Sequence, residues 1–366
     1  MKDFDTWKKL HDSGKLSEFN QKDSSGVLWL KIKSILRKDI FTKFLATTGM
    51  CLSGKKLQDQ FKAFYKTALS DQQPCQSLDR FIRDESRTIL GEINEEKLVS
   101  ELYKLKFFDW GGDYKNSLDK YLVSQYVKKF MSYDDLIRKF ESEINPAVQG
   151  YVLNSWYNHW SSILIEHLFW IHRDILPAIG QIKNVDFFLH GIPFDLKVTY
   201  LPEGYIKAKR KENKWQQEVA LLKQEAKKLS ICFNKAGSDS SIYYEITEKM
   251  RDKNTMHSQS VLDLLQEQRR QILNDAKKSP KELAKWLYEN QGEMRFSSEN
   301  RLFLILVDST SYEQSWKLKR NTDLLKPVIS EYLDHFNKNK MNRLELDFQY
   351  KSQNYTVLSD VIFVVK

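Results

Sequence analysis

Leu302 to Val307 is the stretch that most narrows what this chain can fold into. In Arg301–Asp308, RLFLILVD, six consecutive apolar residues stand between charged ends. A strand with one solvated face alternates apolar and polar side chains. An unbroken apolar run bounded by polar residues is what a strand buried on both faces looks like. Two more strands are expected after it, at Leu344–Tyr350, which alternates, and at Val361–Val365, preceded by Ser359-Asp360. Between them Lys317–Asn337 reads as a helix, interrupted or begun afresh at Pro327, that buries Leu325, Ile329, Leu333 and Phe336.

Upstream, Ile182–Pro202, IKNVDFFLHGIPFDLKVTYLP, reads as two short strands and a tight turn. Val185–His190 is rich in β-formers, Gly191-Ile192-Pro193 breaks it, and Phe194–Leu201 resumes. Alternation points Phe194, Leu196 and Val198 one way and Asp195 and Lys197 the other, while His190 shares the parity of Asp186. Asp186 lies nine positions before Asp195, so a hairpin could bring the two carboxylates together. Hard divalent cations take oxygen ligands of this kind. Such an ion can activate water and stabilise charge on a phosphodiester, and a lysine two residues on can orient the water or neutralise developing charge.

The remainder is mostly helical. Residues 1 to about 24 are polar and read as a loosely held lead-in. Helical spacing begins at Val27 and recurs at Lys56–Leu69, Glu95–Lys106 and Leu118–Phe130, with breaks at Asp71–Pro74 and Trp110–Asp113. Ser155–Ile171, SWYNHWSSILIEHLFWI, reads as a buried helix capped by Ser155; Glu166 inside it needs a cation or another partner. Tyr205–Lys214 holds the densest positive cluster, Lys207, Lys209, Arg210, Lys211 and Lys214, suited to phosphate contacts beside a phosphodiesterase site and otherwise a solvated loop. Helices are expected at Trp215–Leu229, Gln259–Lys277 and Pro280–Asn290, with residues 234 to 300 forming an excursion from the core.

The formal net charge of +9 favours a polyanionic partner. Three widely spaced cysteines with no CxxC pattern argue for a reducing compartment and against structural zinc. No run approaches the roughly 18–20 apolar residues that span a bilayer, and MKDFDTWKKL lacks the apolar core of a signal peptide. A cytoplasmic protein without a membrane partner is the simplest expectation. A Walker A loop, a G-x-S-x-G elbow and a Rossmann fingerprint are all missing from the sequence.

The pattern D-x8-D-L-K across a hairpin resembles the active-site motif of the PD-(D/E)xK nuclease superfamily, which includes many restriction endonucleases. The D-L-K half matches directly, and Val185 stands where the namesake proline would. The resemblance implies an α/β fold: a restriction-endonuclease-like core, a mixed β-sheet flanked by helices, over 151–366, with a helical insertion at about 204–300. A large helical N-terminal region, 1–150, would serve DNA binding or dimer contacts. It also implies a Mg²⁺ site, with Mn²⁺ able to substitute, held by Asp186, Asp195 and the Leu196 carbonyl with Glu166 assisting, and Lys197 positioning the attacking water. Double-stranded DNA, a homodimer and a separately encoded DNA methyltransferase are the implied partners. A nuclease of the same fold acting on branched DNA or RNA is one alternative; a basic DNA-binding protein without catalysis is the other.

Overall fold

The computed structural model describes residues 2–19, 24–108, 118–182, 184–290, 299–341, 343–350 and 352–366. The expected break at Trp110–Asp113 lies outside them. Helices α1 (Phe4–Asp12), α2 (Ser25–Lys33), α3 (Lys38–Thr48), α4 (Leu57–Ser70), α5 (Gln72–Glu92), α6 (Glu95–Leu102), α7 (Leu118–Leu122), α8 (Tyr133–Lys139) and α9 (Asn145–Trp170) come first. Strands β1 (Ile175–Ile182), β2 (Val185–Leu189) and β3 (Ile192–Tyr200) follow. Then come α10 (Glu203–Glu212), α11 (Glu218–Lys228), α12 (Asp239–Lys253), α13 (Met256–Lys278), α14 (Pro280–Asn290) and β4 (Arg301–Val307). The chain ends with α15 (Thr322–Asp334), α16 (Lys338–Met341), β5 (Glu345–Tyr350) and β6 (Gln353–Val365). This α/β chain forms two compact units: Met1–Val27, Ile192–Ser315 and His335–Lys366 make the first, and Leu28–Gly191 with Trp316–Asp334 the second.

The first unit contains a mixed sheet. β4 pairs in parallel with β3 on one side and with β6 on the other, and β5 runs antiparallel to β6. Every residue of β4 is buried, as its unbroken apolar run requires. Phe303, Ile305 and Val307 pack with Leu283, Leu287 and Tyr288 of α14. The α11–α13 region has a small core of its own, including Leu222, Ile246, Met250 and Leu265. α13 begins with a reciprocal capping box between Thr255 and Ser258.

In the second unit, α3, α4 and α5 pack through phenylalanines. Phe41 meets Phe61 at 4.5 Å, and Phe44 meets Phe64 and Phe81 at 5.1 and 5.2 Å between ring centroids. Arg83 of α5 donates to the carbonyls of Arg173 and Ile175, both at 2.9 Å, tying the helices to the start of β1. β1 pairs antiparallel with β2, Ile175 opposite Leu189.

Several expectations change. β1 was not expected. Gly180 within it is required by close approach, since a Cβ there would lie 2.1 Å from the Ser34 carbonyl oxygen. The N-terminal lead-in contains α1, capped by Asp3 accepting from the Thr6 amide at 2.7 Å and anchored by buried Phe4 and Trp7. α9 starts at Asn145 with Pro146 in its first turn, so Ser155 is not its cap. The basic stretch after the hairpin is helix α10, not a loop.

Candidate active site

The turn between β2 and β3 is His190-Gly191, with φ of 48° and 78°. Positive φ at both central residues is what a two-residue type I′ turn requires, and glycine supplies the second without strain. His190 is therefore a turn residue, not a strand residue sharing the parity of Asp186. Ile192 and Pro193, expected in the break, begin β3.

The predicted residues divide between the units. Asp195, Leu196 and Lys197 lie on β3 in the first; Glu166 on α9 and Asp186 on β2 lie in the second. Asp195 and Lys197 share one face of β3, opposite Arg301 and Phe303 in the β4 register. All residues from Asp195 to Tyr200 are half-buried, so the expected contrast between an apolar and a polar face is not seen there.

Asp195 has a partner that sequence reasoning did not find. Arg301 Nε donates to Asp195 Oδ2 at 2.7 Å, and Arg301 Nη2 also donates to Glu299 Oε1. Arg301 and Glu299 are each 3% exposed, whereas Asp195 is 20% exposed. The guanidinium lies 5.6 Å from the Tyr288 ring centroid, and the Tyr288 hydroxyl donates to the Glu299 carbonyl at 3.0 Å. Burial pulls the Arg301 pKa down, but Asp195, Tyr288 and Glu299 outweigh it and the net shift is upward. Arg301 thus bridges two carboxylates, of which Asp195 is the more exposed. Arg301 stands at the edge of the apolar run and Glu299 just before it, but only the β3–β4 register brings them to Asp195.

In the second unit, α9 packs on β2 through Phe169 and Phe187, stacked at 5.3 Å. Glu166 lies one turn before Phe169, and Asp186 directly precedes Phe187, with its side chain on the other face of β2 by strand alternation. Glu166 and Asp186 are both half-buried.

The basic cluster is more heterogeneous than its composition suggests. Arg210 is fully buried, and its Nε and Nη2 donate to the Gln216 carbonyl at 2.9 and 2.6 Å. Burial lowers its pKa, against the pull of Glu218. Arg210 is thus a structural residue and not one open to a phosphate. Lys207 pairs with Asp239 at 3.0 Å, and Lys209 with Glu212 at 2.9 Å, a hydrogen bond that raises the Lys209 pKa. Lys211 and Lys214 are exposed.

Carboxylate and carbonyl oxygens are the donor chemistry that suits Mg²⁺ or Mn²⁺. Asp195 fits such an ion in having a carboxylate that reaches solvent. Among the described residues, no cluster of three or more His, Cys, Asp or Glu capable of holding a metal ion is present. No family model, curated protein or solved structure matches the chain.

Proposed function

We propose that this chain is a Mg²⁺-dependent endonuclease that hydrolyses phosphodiester bonds of double-stranded DNA, of restriction or phage-defence type, and that also works with Mn²⁺. The observation that carries this reading is the placement of Asp195 and Lys197 on one face of a half-buried strand beside the wholly buried β4, nine and eleven residues after Asp186. The element order supports it: α9, then β1, β2 and β3, then helix and β4, as in the helix, three strands, helix, strand of the resembled superfamily.

Asp195 and the Leu196 carbonyl would hold the ion. When bound, the ion activates water and neutralises charge on the phosphate. Lys197 orients the attacking water for in-line displacement and stabilises the charge that develops on the phosphoryl oxygens. Arg301 holds the Asp195 carboxylate in place through its hydrogen bond. Lys211 and Lys214, with Lys207 once it leaves Asp239, contact the phosphate backbone and add a salt-dependent term to affinity. An enzyme of restriction type would work as a homodimer and require a separately encoded methyltransferase to protect host DNA.

Single-turnover cleavage of a labelled duplex tests the assignment. Lys197→Ala is expected to fold normally and lose about 10²–10³-fold in rate, the usual loss for one charge-stabilising group. Asp195→Asn should lose at least as much. Undiminished cleavage by either variant would contradict the proposal, and cleavage confined to branched DNA or RNA would change the substrate.

A further inference from the structure

Most of the excess charge of the chain lies in one short stretch of the second unit, from the end of α2 through α4. Residues 31–66 hold nine lysines and arginines against two aspartates, a net +7 in a chain of net charge +9. Part of this charge is neutralised inside the unit, where Lys31 pairs with Asp79, Lys43 with Glu85 and Arg37 with Asp39. Lys38, Lys55, Lys56 and Lys66 are exposed, and among the described residues none of them has a carboxylate partner.

The placement of these cations is the reverse of what helix stability favours. Arg37 and Lys56 are the N-caps of α3 and α4, neither makes a side-chain cap bond, and Lys38 and Lys55 adjoin them. Helix N-termini favour Ser, Thr, Asp or Asn as caps and negative charge nearby. Asp39 and Asp59 stand in the two first turns, but Asp39 is engaged by Arg37. The ring contacts of Phe41 with Phe61 and of Phe44 with Phe64 advance together along both helices, so α3 and α4 begin at the same end. Four exposed cations and the positive ends of two helix dipoles thus gather there, an arrangement that bound anions would stabilise. Among the described residues before Tyr103, no large apolar side chain is exposed. Seating on a lipid surface uses such side chains to enter the headgroup layer. A nucleic-acid backbone needs none, because lysine and arginine meet its phosphates and release its counterions.

We infer that the common end of α3 and α4, with Lys66 farther along α4, is a nucleic-acid-binding surface that grips the phosphate backbone without reading its sequence. It belongs to a different unit from α10 and does not depend on the nuclease reading.

Fluorescence anisotropy of the full chain with a labelled mixed-sequence DNA duplex, in EDTA so that no cleavage intervenes, should show binding that weakens steeply with KCl. Lys55→Ala with Lys56→Ala should leave the circular dichroism spectrum and melting temperature unchanged, weaken binding about tenfold and reduce the salt slope by about two. Adding Lys38→Ala and Lys66→Ala should bring that reduction to about three to four. Lys277→Ala with Lys278→Ala removes the same charge from exposed positions on α13 and should leave the slope within about 0.5 of the wild type. Binding indifferent to the Lys55 and Lys56 substitutions, or equally sensitive to the α13 pair, would overturn the surface. So would tighter binding to vesicles of phosphatidylserine and phosphatidylcholine than to the duplex, which would assign the patch to lipid. Because the measurement contains no cleavage step, its failure leaves the nuclease reading standing, and absence of cleavage leaves this surface standing.

Discussion

Arg301 is the residue whose removal should be felt most widely. It is buried between Asp195 and Glu299, so Arg301→Leu leaves two carboxylates without their cation and should destabilise the fold by about 3–5 kcal/mol, read from urea unfolding. Lys211→Ala, at an exposed position on α10, should change stability by less than about 0.5 kcal/mol. That variant should instead weaken DNA binding and reduce its salt slope by about one, whereas Arg210→Ala should lower stability first. The two lie side by side in the sequence, and composition cannot tell them apart; only burial does. Glu225 gives a prediction in pH. Lys228 and His257 hydrogen-bond its carboxylate, each at 2.7 Å. The bond from Lys228, aided by that from His257 and opposed by burial, holds its pKa below the ordinary value of 4.5. Because the folded value is the lower, this stabilisation is complete above the ordinary carboxylate range and fades as pH falls through the folded value. Glu225→Gln should therefore melt below the wild type at neutral pH, with the gap closing on acidification. A gap that persists in acid would contradict this.

β4 was legible at the level of the element because burial on both faces leaves an unmistakable apolar run, and its neighbours β3 and β6 complete the arrangement. Leu304→Ala at its centre should cost about 2–5 kcal/mol in a denaturant titration; a loss below about 1 kcal/mol would mean that the strand is not the centre of the sheet. β1 was not legible, because Pro177 and Gly180 are breakers unless the packing partner is known, and the backbone of Ser34 comes from far earlier in the chain. Two helices of the excursion, α13 and α14, were found to within a few residues, α14 at its expected limits, Pro280–Asn290, whereas α12 was not expected. α10 was misjudged because its lysines and arginine suggested solvent, while Tyr205, Ile206 and Arg210 bury one of its faces. Of the candidate site, the order of residues along β3 was legible. The ion pair that fixes Asp195 was not, since its partner lies more than a hundred residues away and is reached only through strand register.

For the whole molecule, the +9 charge is the broadest guide to a partner, but the structure shows that much of the strongest basic cluster is already engaged within the chain. Among the described residues no helix is long and apolar enough to cross a membrane. The residues that resemble a nuclease motif fall on β2 and β3, and the basic helix α10 follows them. The function proposed from them is metal-dependent cleavage of DNA. The direct test is digestion of unmethylated plasmid or phage DNA with Mg²⁺, alongside EDTA and Lys197→Ala controls. Discrete fragments are expected with Mg²⁺, none with EDTA, and none beyond background from the variant. Intact DNA in all three, or equal cutting by Lys197→Ala, would contradict it.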